Sequence, residues 1–279
     1  MSMLDCIIAQ PSPSDTGPSI VQRVLQSVRQ HLDMEVAYVS EFVDNTSIFR
    51  TVDAPGLEAL IKPGDVRSLD DVYCRHILAG RLPELMPDTS EFALAASMPI
   101  TRAVPIGAHV SVPLRLSDGQ VFGMFCCLSP RINKTLNERD LQVMRSFADI
   151  AAEQIDKERA AERDLADKRD RVARIIADKQ FSIHFQPIWE FQQDKLVGFE
   201  CLSRFHAVPP RSPDKWFAEA ADVGLGVELE LAAIAAALAC GRNLPDDVYV
   251  TVNASAQAVV HDASKTPSGP FPSAVWSSN

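Results

Sequence analysis

Apolar residues at Ile20, Val24, Leu25, Val28 and Leu32 fall at helical spacing in TGPSIVQRVLQSVRQHL. That pattern predicts an amphipathic helix, with Thr16 as its cap and Pro18 in its first turn. The next two runs, EVAYVSEFV and SIFRTV, are joined by DNT and predict two paired strands with a tight turn. DVYCRHILAGRLPEL predicts a short helix stopped by Gly80 and then an extended segment containing Pro83. AHVSVPLRL and VFGMFCCLS flank Asp118-Gly119, a strong hairpin signal. Helix, hairpin, loop and hairpin in this order predict an α+β domain around an antiparallel sheet.

A different pattern begins at Thr135. Thr135 and Glu138 fit a capping box, and neither Gly nor Pro follows until Pro187. Leu141, Met144, Ala148, Ala151 and Ile155 keep a 3-4 rhythm that continues to Leu165, Val172 and Ile176, with Glu158, Glu162 and Arg169 as polar breaks. The rhythm predicts that the last helix of the first domain runs on as a connector, able to pair weakly with a second copy as a parallel coiled coil or to stand as a solvated single helix. Beyond it, FSIHFQPIWEF and KLVGFECLSRF predict strands, DKWFAEAADVG and VELELAAIAAALACGRN predict helices, and DVYVTVNAS predicts a third strand. Strand, strand, helix, helix, strand is the opening of an α/β barrel or an open α/β sheet. HDASKTPSGPFPSAVWSSN has no period and predicts a disordered tail over 261–279.

The totals narrow the function classes. Of 279 residues, 46% are hydrophobic and 23% charged, which supports packed cores. A formal net charge of −10 argues against broad binding to polymeric nucleic acid or anionic membrane, so a nucleotide would need a local cation. MSMLDCIIAQPSPSD lacks the pattern of a signal peptide, and no apolar run is long enough to span a bilayer. The cysteines at 6, 74, 126, 127, 201 and 240 form no CxxC pair, which predicts reduced thiols and a cytoplasmic location. The neighbours Cys126 and Cys127 are expected to be core residues of a strand.

YCRHILAGRLPELMPD, HVSVPLRLSDGQVFGMFCCLS and the helix after them resemble a GAF domain, a small α+β sensory fold, over residues 17–155. FSIHFQPI, GFECLSRF and VTVNAS resemble, in order and spacing, the first blocks of an EAL domain, the cyclic-di-GMP phosphodiesterase family. The resemblance implies an N-terminal extension at 1–16, a connecting helix at 156–179 and a partial EAL domain at 180–260. In that family the Glu of the signature triplet ligates a metal. Here the triplet is Glu200-Cys201-Leu202, with Cys, a small hydrophobe, in the middle place. Asn253 fills the place of a second metal ligand, Gln186 lies in the substrate block, and Arg204 fills the place of the Arg that contacts a substrate phosphate. Carboxylate and amide oxygens suit Mg²⁺ or Mn²⁺. Residues an even number apart on a strand share a face, so Glu200 and Arg204 can point to one site.

The family's later motifs are a second metal-binding Glu, an adjacent Asp pair, a Lys and a catalytic Glu. None follows Asn253, and His261-Asp262 is the nearest acidic candidate. The loss of pattern after Val260 looks like a truncated or frame-shifted product. The expectation is therefore a cyclic-di-GMP signalling protein of phosphodiesterase ancestry that does not hydrolyse the dinucleotide alone. The alternative is a non-catalytic sensory and dimerisation module that regulates a partner. In the first domain, Tyr73, Cys74, Arg75 and His76 are the candidate pocket residues. Arg75 stands between Cys74 and His76, where a covalent bilin site would have the two adjacent, so no chromophore is expected.

Overall fold

Helix α1 spans Ile20–His31 and is capped by Ser19, whose hydroxyl accepts the Gln22 N–H at 3.1 Å. The computed structural model describes residues 19–245, 247–262 and 274–277, so Thr16 and Pro18 lie outside it. Strands β1 (Val36–Val43) and β2 (Thr46–Asp53) pair through the two-residue turn Asp44-Asn45, with Asp44 at φ +53°. The short strand β3 (Val66–Ser68) extends the sheet beyond β2. Helix α2 (Tyr73–Leu78) ends before Gly80, which takes φ +67°. Strand β4 (Leu85–Met86) and the short helices α3 (Ala93–Ser97) and α4 (Pro99–Ala103) follow. Strands β5 (Ala108–Arg115) and β6 (Val121–Ser129) form the predicted hairpin, with Gly119 at φ +83°. The sheet is antiparallel throughout, in the order β3-β2-β1-β6-β5-β4.

Period-two alternation splits this unit's core into two layers. Ala37, Val39, Val110, Val112 and Phe125 pack under α1 and the first part of helix α5 (Glu138–Ala177). Val36, Tyr38, Phe49, Met124 and Leu128 pack on the opposite face, against α2 and the segment around Ile61 and Ile106. Cys126 and Cys127 are both fully buried strand residues, as expected, but they enter opposite layers.

Helix α5 is a single helix of 40 residues. Its cap is not the Thr135–Glu138 box. Asn137 Oδ1 accepts the Arg139 N–H at 2.9 Å, and Asp140 Oδ2 accepts the Asn137 N–H at 2.9 Å. Thr135 is instead held by Asn133, whose Oδ1 accepts both its N–H and its hydroxyl. Asn and Asp cap at least as well as Thr and Glu, and the start of the helix shifts accordingly. The 3-4 rhythm is covered within the chain at both ends. Leu141, Met144, Ala148, Ala151 and Ile155 pack in the first unit, and Val172 and Ile176 pack in the second. Leu165, between them, is 52% exposed.

The chain divides into two units between Arg159 and Ala160. In the second, strands β7 (Phe181–Glu190) and β8 (Lys195–Phe205) form an antiparallel hairpin. Helices α6 (Pro213–Asp222) and α7 (Gly226–Gly241) lead to strand β9 (Tyr249–Asn253), parallel to β8. The predicted order is therefore present. Helix α8 (Ala256–Asp262) follows. The tail from 261 was expected to be disordered, yet Ala274–Ser277 is strand β10, parallel to β9. A β-rich Val-Trp pair meets the open edge of β9, whose unpaired backbone groups invite another strand. The rest of that tail lies outside the described residues. The four strands run β10-β9-β8-β7 as an open sheet, an incomplete α/β arrangement without a closed barrel among the described residues.

Candidate functional site

Register decides where the predicted residues of the second unit go. Gln186 pairs with Glu200 across β7 and β8, Ser182 with Arg204, and Glu200 with Thr251 across β8 and β9. Directly paired residues project to the same side. Gln186, Glu200, Arg204 and Asn253 therefore share one face. The opposite face carries Phe181, Ile183, Phe185, Cys201, Val250 and Val252 and packs against α6 and α7. Gly198 is part of the site's geometry: a Cβ there would come within 2.8 Å of the Tyr249 ring.

Asn253 Nδ2 donates to Glu200 Oε1 at 3.2 Å, which joins the two predicted metal ligands. Arg204 donates through Nη1 to the neighbouring Ser203 carbonyl at 2.8 Å and remains exposed. Arg204 and Asn253 also line a cleft of about 210 Å³ at the C-terminal ends of β8 and β9, with Glu230 and Phe217 opposite. Glu230 was not singled out from sequence. Its Oε2 accepts the Ser255 N–H at 3.1 Å and hydroxyl at 2.7 Å, and Ser255 Oγ in turn accepts the Ala258 N–H. Glu230 thus anchors the turn that leaves Asn253.

This set does not fit a two-metal centre. The Asn253 amide satisfies Glu200 with its N–H, and among the described residues no group of three His, Cys, Asp or Glu could hold a metal ion. Two first-shell side chains fall short of the oxygen cage that Mg²⁺ requires. The side chains of His261 and Asp262 lie outside the described set. No hydrolytic step follows from these residues alone.

The predicted pocket residues of the first unit separate. Helical rotation turns successive side chains by about 100°, so four neighbours cannot face one cavity. Tyr73 lines a cavity of about 40 Å³ with Tyr38, Phe49, Arg67 and His109. Its hydroxyl lies 2.5 Å from Thr101 Oγ1, and its ring meets His109 edge-on at 5.0 Å. Cys74 is buried in the same layer. Arg75 points away and is held by Asp70 and Asn45. Nδ1 of His76 is buried without a partner, and burial, aided by Arg81 and Arg75, holds its pKa below the ordinary value.

Sequence reading missed Tyr38, His109, Ser111 and Cys126. The signal was present in AHVSVPLRL, where His109 and Ser111 alternate with Ala108, Val110 and Val112. Polar residues at the inward positions of a buried strand mark a site.

The GAF domain family model matches residues 18–155, and the EAL domain family model matches residues 169–268. No curated protein matches the chain significantly. Among solved structures, the GAF domain of an Acinetobacter phosphoenolpyruvate-protein phosphotransferase is 11% identical, over 57% of this chain and 90% of that one, with a TM-score of 0.44. The blue-light absorbing form of the Thermosynechococcus elongatus PixJ GAF domain is 14% identical, over 53% and 89%, with a TM-score of 0.42. The chromophore-binding domain of a bacteriophytochrome from R. palustris is 14% identical, over 57% and 60%, with a TM-score of 0.43. No described helix is long and apolar enough to cross a membrane. The match of both family models, in the order in which the two units occur, makes this chain a GAF domain followed by an EAL-family segment.

Proposed function

We propose that the chain is a cyclic-di-GMP signalling protein in which a GAF sensor is coupled through α5 to an EAL-family segment. The family reaction is metal-dependent hydrolysis of cyclic-di-GMP to linear pGpG. In this reading Gln186 and Arg204 face the dinucleotide, and Glu200 and Asn253 are the ligands left for Mg²⁺ or Mn²⁺. The observation that carries the reading is that these four residues, 67 positions apart at their extremes, share one open sheet face with Glu200 and Asn253 in contact. The absence of fit to two metals supports a chain that does not turn over the dinucleotide by itself. The protein acts in the cytoplasm, and self-association uses the middle of α5 around Leu165.

The test is incubation of the purified, folded chain with cyclic-di-GMP and Mg²⁺ or Mn²⁺, with chromatography of the product, beside Glu200→Ala. The expected result is no linear dinucleotide from either. Product from the parent chain that disappears in Glu200→Ala would overturn the inactive reading and show that the missing ligands are supplied elsewhere.

A further inference from the structure

The side of the GAF sheet away from α1 and α5 carries a buried polar cluster that no part of the proposed signalling chemistry uses. Cys126 is at its centre. Register sets it beside Tyr38 on β1 and Ser111 on β5, and Ser111 Oγ lies 3.1 Å from Cys126 Sγ. Cys74 on α2 brings its thiol into hydrogen-bond contact with that of Cys126. The imidazole of His109 completes the ring of neighbours. Cys74 is 1% exposed and Cys126 0%. His109 is 2% exposed, and its Nδ1 has no partner. Next to the cluster is the cavity bounded by Tyr38, Tyr73 and His109, whose volume of about 40 Å³ admits a molecule the size of water or hydrogen peroxide. An apolar layer has no structural need for two thiols, an imidazole and a hydroxyl in mutual contact, because each polar group must be satisfied there.

We propose that Cys126 and Cys74 are an oxidisable thiol pair, which a small hydroperoxide reaching the cavity beside His109 converts to a disulfide. In the first step the Cys126 sulfur, as thiolate, attacks one peroxide oxygen. An S–O bond forms, the O–O bond breaks, and the departing hydroxide takes a proton to leave as water. In the second step the Cys74 sulfur attacks the Cys126 sulfenic acid. An S–S bond forms, the S–O bond breaks, and the Cys74 proton leaves with the oxygen as a second water. Two thiols are oxidised and one peroxide is reduced.

The cluster polarises its members in the sense this needs. Burial pushes the Cys126 thiol up, but hydrogen bonds from Cys74, His109 and Ser111 outweigh it and hold it well below the ordinary thiol value. Cys74 moves the other way: its hydrogen bond to Cys126 and its burial raise it. Tyr38 is raised by burial and by the neighbouring thiols, and so stays neutral beside them. One member is thus the attacking thiolate and the other the thiol that resolves it. Nothing in this chemistry draws on the second unit, so turnover of cyclic-di-GMP, present or absent, leaves it untouched.

The test uses the full chain treated with hydrogen peroxide, quenched in acid and mapped by mass spectrometry. The expected product is lighter by about 2 mass units, the two thiol hydrogens, with Cys74 and Cys126 in one cross-linked peptide that thiol reductant separates. Cys74→Ser and Cys126→Ser abolish it, and Cys127→Ser, on the other side of the sheet, retains it. His109→Gln slows the reaction about tenfold near pH 7 and makes its rate climb between about pH 6 and about pH 8, where the parent rate is flat. Full alkylation of Cys74 and Cys126 after peroxide treatment of the folded parent chain would overturn the proposal. So would a cross-link confined to Cys201 and Cys240.

Discussion

Glu219 is a charged side chain with only 7% of its surface exposed, and it is held by two guanidiniums. Arg171 donates from Nε to Glu219 Oε1 at 2.7 Å, and Arg211 donates to Oε2. Burial alone pushes its pKa up, but the two arginines outweigh burial and lower it. A carboxyl whose folded pKa lies below its unfolded value stabilises the fold fully above the unfolded pKa, and that stabilisation is lost as the pH falls through the folded one. Breaking a fully buried pair costs about 3–5 kcal/mol. Arg171 and Arg211 keep 25% and 28% of their side-chain surface in water, so Glu219→Gln is expected to cost about 2 kcal/mol at neutral pH. Denaturant melts of both chains should show the gap closing as the pH drops below the ordinary carboxylate range. A gap that persists in acid would assign the loss to packing instead. Glu219 could not be singled out from sequence, because a Glu in mid-helix has no pattern that tells a buried ion pair from a solvated face. Gln186, Glu200 and Asn253 could, because strand parity and the spacing of three motif blocks fix their side of the sheet. His109 and Glu230 were hidden for a third reason. Their partners, Cys126 and Ser255, are distant in sequence, and no period links them.

Strands and helices with strong periods were legible: α1, the β1–β2 and β5–β6 hairpins, the long α5, and β7, β8, α6, α7 and β9. Those the sequence reading lacked are the short elements β3, β4, α3 and α4, of two to five residues each. A period cannot register in so few positions, and such elements form because neighbouring chain completes their hydrogen bonds. One glycine shows how closely the central strands depend on each other. A Cβ on Gly123 would lie 1.8 Å from the Ser40 carbonyl oxygen and 3.0 Å from Glu41 Cα. These are backbone atoms, which a rotamer change cannot move. Gly123→Ala must displace β6 from β1, on which both core layers depend. The expected cost is about 3 kcal/mol, at the upper end of overpacking. Thermal melts by circular dichroism check it against Gly119→Asn in the β5–β6 turn, where a side chain meets nothing within 4 Å and the left-handed conformation suits Asn. Equal melting temperatures for the parent and Gly123→Ala would show that the strands yield there.

The two units have separate cores, and α5 is the element that contributes to both. Its buried residues end at Ile155 and resume at Val172, with none between. Helix without a packed face contributes little stability, because its hydrogen bonds largely exchange for bonds to water. Unfolding of one unit should therefore leave the other folded, giving two calorimetric transitions. Trp216 distinguishes them. It is fully buried in the second unit's core, 6.1 Å ring to ring from Phe205, with the Arg211 guanidinium 4.9 Å from its ring. Its Nε1 is buried without a hydrogen-bond partner, so the ring contributes by packing alone. Trp216→Ala is expected to remove about 3 kcal/mol or more and lower one transition by about 10 °C, leaving the other in place. Trp216→Phe keeps much of the aromatic packing and removes the unsatisfied N–H, so it should stay within about 1.5 kcal/mol of the parent. If Trp216→Ala instead moves a single transition as a whole, then the bare stretch of α5 transmits unfolding between the units. A sensor in the first unit would then act on the second through cooperative stability and not through a local movement of the helix.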